Sequence, residues 1–171
     1  PSGISSNAIN DLYIDKNKLW IAFRDQGANL LLLDKKMFSQ LNSLEVSPFK
    51  EIDANCFTSD NKGNIWIGTR GQGLWKYQPL SGKLFNYNSD KFPSLKNNNI
   101  LALKYSKEGI LWLGTDGDFI CAFNPKTNAF KFIPHLEGTW SSVYTIEETD
   151  NFLWCGTWGG GLKKFDKILE T

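Results

Sequence analysis

Short apolar runs, each closed by a polar or glycine-rich turn, follow one another along the chain. Leu19-Trp20-Ile21-Ala22-Phe23 returns as Ile65-Trp66-Ile67-Gly68-Thr69, as Leu111-Trp112-Leu113-Gly114-Thr115 and as Leu153-Trp154-Cys155-Gly156-Thr157. Such runs, bounded by Gly, Asn, Asp and Pro, read as strands. In the first repeat, residues 8–15, Leu19 to Phe23 and Asn29 to Asp34 are expected strands. Lys35 to Ser43 is less regular and fits a helical turn, which places a fourth strand near Leu44 to Phe49. The second repeat predicts Ala54–Ser59, Asn64–Thr69, Leu74–Gln78 and Lys83–Asn88. Between these runs Gly63 and Gly82 fall where hairpin loops need a positive φ. The third predicts Ile100–Tyr105, Ile110–Thr115, Phe119–Asn124 and Ala129–Ile133, and the fourth Val143–Glu148, Phe152–Thr157 and Leu162–Asp166.

The tryptophans stand 46, 46 and 42 residues apart. A period of that length made of strands and turns is the mark of stacked sheet units, above all a β-propeller. The expected fold is therefore all-β, an arc of antiparallel four-stranded blades at residues 5–50, 51–96, 97–140 and 141–171, the last without its outer strand. Closure takes at least four blades. Three and a half predict an open arc, cut from a larger ring, whose edges can pair with another chain. Trp20, Trp66, Trp112 and Trp154 recur at one phase and are expected to form the inter-blade core. The small residues after them let neighbouring sheets approach.

Composition narrows the function classes. At 171 residues with 41% hydrophobic and 14% aromatic content, the chain can bury a proper core. Its formal charge of +1 is spread without a basic run, which argues against nucleic acid. No apolar stretch approaches the ~18 residues of a membrane span. The start, Pro1-Ser2-Gly3-Ile4, lacks a secretory signal and reads as the edge of an excised piece of something longer. Cys56, Cys121 and Cys155 sit singly in apolar runs without metal-ligand spacing and read as buried thiols.

Catalytic sets are thin, and no cofactor, metal or catalytic group is expected. His135 is the only histidine, in an exposed strand exit. Glu147 and Glu148 are adjacent on a strand and so point to opposite faces; Asp150 falls in a turn. Asp60-Asn61-Lys62-Gly63-Asn64 faintly resembles a calcium loop but lacks the later Glu. The glycine runs at 71–73 and 159–161 precede strands, not the helix of a phosphate cradle. Binding suits the residues better. In a propeller the loops after each second strand and those between blades open on one face of the disc. Here they carry Arg24, Asp25, Arg70, Gln72, Asp116, Asp118 and Asn98, with Trp140 and Trp158 outside the repeat pattern. Such groups hydrogen-bond hydroxyl pairs, and an exposed indole stacks on a sugar face.

The run Leu-Trp-x-Gly-Thr-x-Gly-Gly-Leu, followed by aromatics around an Asn-Pro or Pro-x-x-Gly turn, resembles the two-component regulator propeller repeat. The match is best at Ile65–Tyr77, at Leu111–Thr115 with Phe123-Asn124-Pro125, and at Leu153–Phe165. Ala22-Phe23 and Asp118-Phe119 depart from it. WD40 repeats end a strand in Trp-Asp, which is absent, and kelch repeats place the Gly pair before a Tyr and Trp. The resemblance implies part of a seven-bladed periplasmic sensor of a hybrid two-component regulator that recognises oligosaccharides, anchored in the membrane outside this segment. The alternatives are an interaction or dimerisation propeller and, third, a carbohydrate-active enzyme.

Overall fold

The computed structural model describes residues 6–24, 27–34, 37–39, 49, 51–117, 119–134 and 142–168. Within them every regular element is a strand, and the strands form four antiparallel sheets in chain order. Sheet 1 holds β1 (Ile9–Asp15), β2 (Lys18–Phe23), β3 (Ala28–Leu32) and β4 (Met37–Ser39). Sheet 2 holds β5 (Ala54–Ser59), β6 (Ile65–Thr69), β7 (Leu74–Gln78) and β8 (Lys83–Tyr87). Sheet 3 holds β9 (Ile100–Tyr105), β10 (Leu111–Thr115), β11 (Phe119–Asn124) and β12 (Ala129–Pro134). Sheet 4 has three strands, β13 (Val143–Glu148), β14 (Phe152–Thr157) and β15 (Gly161–Asp166).

The turns follow local chemistry. At the β5–β6 hairpin Asp60 accepts from the Lys62 and Asn64 amides at 2.9 and 3.0 Å, from the Asn64 side chain at 2.8 Å and from Trp66 Nε1 at 3.1 Å. Both carboxylate oxygens are thereby occupied by the turn itself. Gly63 and Gly82 take φ of 75° and 66°, the left-handed region that a side chain would strain.

The fourth strand of sheet 1 is a correction to the expectation. It runs at Met37–Ser39, inside the segment read as a helical turn; the strand expected near Leu44 to Phe49 lies, but for Phe49, outside the described residues. The β3–β4 hairpin closes with Leu32 opposite Met37 and Leu31 opposite Phe38, so the alternation resumes after a short loop. Phe49 lies in a turn, and residues 40–48 are outside the described residues.

First strands lie side by side, β1 against β5, β5 against β9 and β9 against β13, so the sheets radiate from one hub. The core sits between sheets, in three clusters. Trp20, Ala22 and Ala28 of sheet 1 pack on Phe57, Ile65 and Ile67 of sheet 2. Trp66 and Leu74 of sheet 2 pack on Ile100, Leu111, Leu113 and Phe123 of sheet 3. Trp112 of sheet 3 packs on Val143, Ile146, Leu153 and Phe165 of sheet 4. Trp154, at the same place in sheet 4, is 37% exposed, because among the described residues no further sheet lies on it. The three cysteines are free and buried.

Candidate functional site

One end of the molecule gathers the starts of the first strands and the ends of the second. There the same hydrogen bond recurs in every sheet. The amide just past the second strand donates to the carbonyl just before the first: Arg24 to Ala8 and Arg70 to Asp53 at 2.9 Å, Asp116 to Asn99 at 3.0 Å, and Trp158 to Ser142 at 2.9 Å. Arg24, Arg70, Asp116 and Trp158 are thus equivalent positions, and all four were singled out from sequence.

A step inward lies a second ring that the sequence did not reveal. Each first strand carries a β-bulge at the same register, between Ile9 and Asp11, Ala54 and Cys56, Ile100 and Ala102, and Val143 and Thr145. A bulge adds a residue and re-aims its side chain. The added residues are Asn10, Asn55, Leu101 and Tyr144, and all of them line one cavity of about 310 Å³ at the hub. Asn10 Nδ2 donates to Ala54 O at 3.2 Å and to Asn55 Oδ1 at 3.4 Å. Asn55 Nδ2 repeats the reach to Ile100 O at 3.1 Å. The two amides therefore stitch the first three sheets together, while the bulge residue of sheet 3, Leu101, has no amide to reach sheet 4 in the same way.

Deeper in the cavity Asp11 accepts from the Leu12 amide at 2.8 Å and the Phe57 amide at 2.9 Å. Burial raises its carboxyl above the ordinary aspartate value, against the pull of these two donors. Lys104 reaches Glu147 at 2.6 Å and ties sheet 3 to sheet 4. Glu148 takes a different partner, Lys167 at 2.9 Å. The two glutamates are therefore each matched to a lysine and do not flank a common point. Burial pushes the Cys121 thiol up to about 12 and Cys155 to about 11, so neither offers a thiolate near neutrality.

Most of the predicted polar loop residues are engaged within the chain. Gln72 accepts from the Asp53 amide at 2.9 Å and donates to Glu51 O at 2.6 Å, which fixes the loop entering sheet 2. Arg70 lies 3.9 Å from the Asp53 carboxylate. Asn98 brackets Ser89, accepting from its amide and donating to its hydroxyl, both at 2.8 Å. Asp116 accepts from Asn99 Nδ2 at 3.1 Å and from the Ser142 hydroxyl, and its backbone carbonyl accepts from Asn97 Nδ2. Asp25, Asp118 and Trp140 lie outside the described residues. Trp158 stands apart, 76% exposed, its ring 6.1 Å from that of Tyr144 with a tilt of 45°. Tyr144 is itself 55% exposed. Together they form an open aromatic pair in which Tyr144 lines the cavity and Trp158 does not, with one ring from each of the two position sets.

Residues 49–71 and 94–117 match the family model described as two component regulator propeller. Histidine kinase P4 of Formosa agariphila is 31% identical over 108 residues, which are 60% of this chain and 8% of that protein. Among solved structures, the extracellular domain of a one component system of B. thetaiotaomicron superposes over 100% of this chain and 23% of its own, with a TM-score of 0.81 at 22% identity. The extracellular domain of a hybrid two component system of the same organism superposes over 95% of this chain and 20% of its own, with a TM-score of 0.71 at 26% identity. The computationally designed Ika4 protein is matched over 96% of this chain and 94% of its own, with a TM-score of 0.66 at 16% identity. The chain thus spans under a quarter of the natural relatives it matches, and nearly all of a designed chain with the same sheet arrangement.

Proposed function

We propose that this chain, whose residues 49–71 and 94–117 match the two component regulator propeller model, is a ligand-sensing segment of the periplasmic sensor of a hybrid two-component regulator, with an oligosaccharide as its ligand. The relatives support the setting, since two of them are extracellular domains of signalling systems and one is a histidine kinase. Signal transfer then belongs to parts of the longer protein beyond this segment.

The observation that carries the ligand class is the exposed Tyr144–Trp158 pair, whose Tyr144 lines the cavity. A sugar presents an apolar C–H face and a polar hydroxyl rim. Tilted rings that are accessible to solvent meet the first. The exposed Arg24 guanidinium at the matching position of sheet 1 offers a fork of donors for the second. Asp116, Asn98 and Gln72 serve this site by holding the loops that frame it. Among the described residues, Glu147 and Glu148 are each bound to a lysine.

Isothermal titration of the intact sensor against an oligosaccharide panel tests the proposal. Trp158→Ala and Tyr144→Ala are expected to weaken binding by roughly two- to tenfold each, the scale of one aromatic contact. Their melting temperatures should stay near that of the parent. Unchanged affinity in both variants, or release of shortened sugar from the panel, would overturn it.

A further inference from the structure

In every sheet the residue just past the second strand and the residue just before the first form a couple, joined through their backbones. In sheets 2 and 3 their side chains are matched as well. Arg70 lies 3.9 Å from the Asp53 carboxylate, and Asp116 accepts from Asn99 Nδ2 at 3.1 Å. Each polar group past the second strand is thus answered by one of opposite character before the first.

Sheets 1 and 4 depart from that matching in different ways. In sheet 4 the couple is Ser142 and Trp158. The indole belongs to the exposed aromatic pair, and the Ser142 hydroxyl turns to Asp116 of sheet 3. In sheet 1 the couple is Ala8 and Arg24. A methyl group stands where Asp53 carries its carboxylate, and among the described residues no acceptor is bonded to the Arg24 guanidinium. Arg70 is half-buried beside its acid, whereas Arg24 is exposed. A guanidinium keeps its charge throughout the physiological range. Its planar fork fits a carboxylate through two parallel hydrogen bonds.

We propose that Arg24 receives a carboxylate of the ligand in the place that Asp53 fills for Arg70, so that the oligosaccharide sensed here is an acidic one carrying uronate residues. The inference rests on the oligosaccharide reading and narrows it. Trp158 and Tyr144 offer ring faces to any sugar, whereas Arg24 offers charge to the group that separates a uronate from its neutral parent. Asp116, the acid in the same ring of positions, has one carboxylate oxygen on Asn99 and the other on Ser142, and so does not compete for the guanidinium. An exposed ion pair is weak on its own. Arg24 therefore sets the choice among sugars more than the total affinity.

Isothermal titration of the intact sensor tests this with oligogalacturonate, oligomannuronate and oligoglucuronate, and with the same sugars after reduction of their carboxyl groups to hydroxymethyl groups. At least one acidic sugar is expected to bind, and its reduced form to bind roughly three- to tenfold more weakly. Arg24→Gln should erase that difference, leaving both forms at the affinity of the reduced sugar, while Trp158→Ala weakens both alike. Ala8→Asp copies the couple of sheet 2 into sheet 1. Its carboxylate should occupy Arg24 and lower the affinity for the acidic sugar alone. Both positions are exposed, and near-ultraviolet circular dichroism verifies that the variants fold. Reduced sugars that bind the wild type as tightly as acidic ones would overturn this inference and leave the oligosaccharide reading standing. So would an Arg24→Gln variant that keeps the preference for the acid, or a sensor that binds neutral oligosaccharides and no uronate. Binding to neither class would overturn both.

Discussion

Sheets 2 and 4 are built on the same plan, and their tryptophans meet different fates. Trp66 is fully buried under Phe123 and Tyr87, with its indole N–H on Asp60 and the Lys76 ammonium 5.2 Å from its ring. Trp154 keeps a lysine over it, Lys164 at 5.7 Å, but among the described residues it has no aromatic ring from another sheet. The first three strands of the two sheets pair in the same way, so the ladders between them are alike. Apolar burial comes from the neighbour. Stability in such an array is close to a sum of units and the joints between them. Identical residues can therefore be worth very different amounts according to which joint they occupy.

The sharpest test of that difference is truncation of the buried ring. Trp66→Ala should cost about 3–5 kcal/mol in urea unfolding, the usual range for emptying a core aromatic site. A loss under about 1 kcal/mol would show that the joint between sheets 2 and 3 adds little. The second-strand glycines give the next contrast. Gly114→Ala drives a methyl group into the Val143 backbone and should cost about 1–3 kcal/mol by overpacking. Gly156→Ala meets only the Thr145 side chain, which can turn aside, so it should cost less in the same assay. Asp60→Ala strands the Trp66 indole and two Asn64 donors and should cost about 1–3 kcal/mol. The matching turn in sheet 4 uses Thr149, whose exposed hydroxyl bonds Phe152 O at 3.3 Å. Thr149→Ala should change stability by no more than about 0.5 kcal/mol. Smallest of all in proportion to the atoms removed is Trp154→Ala, expected to cost under about 1 kcal/mol in monomeric protein. A cost as large as that for Trp66 would mean that sheet 4 is covered after all.

The strands were legible because each repeat restates the same alternation, and errors in one copy are corrected by the others. Sheet 1 shows the limit. Its repeat is the loosest, and in the sequence the alternation of Leu44 to Phe49 is plainer than that of Met37–Ser39, where the chain in fact returns to pair with β3. The loop position shared by Arg24, Arg70, Asp116 and Trp158 could be found by counting from each Trp. The tasks of Gln72, Asn98 and Asp116 could not. An amide or carboxylate that ties a loop has the same formula as one that greets a ligand, and only the partner distinguishes them. Tyr144 was missed for a further reason. Its orientation depends on a bulge, which is a property of two paired strands and leaves no mark on either one alone.

That bulge recurs in all four first strands, and the residues it frees are Asn10, Asn55, Leu101 and Tyr144. A residue displaced from the pleat is released from the demands of packing on either side. Its chemistry can drift from amide to hydrocarbon to phenol while the scaffold beneath stays constant. Such a scaffold can be re-addressed to new small molecules by changing a handful of letters, without being refolded first.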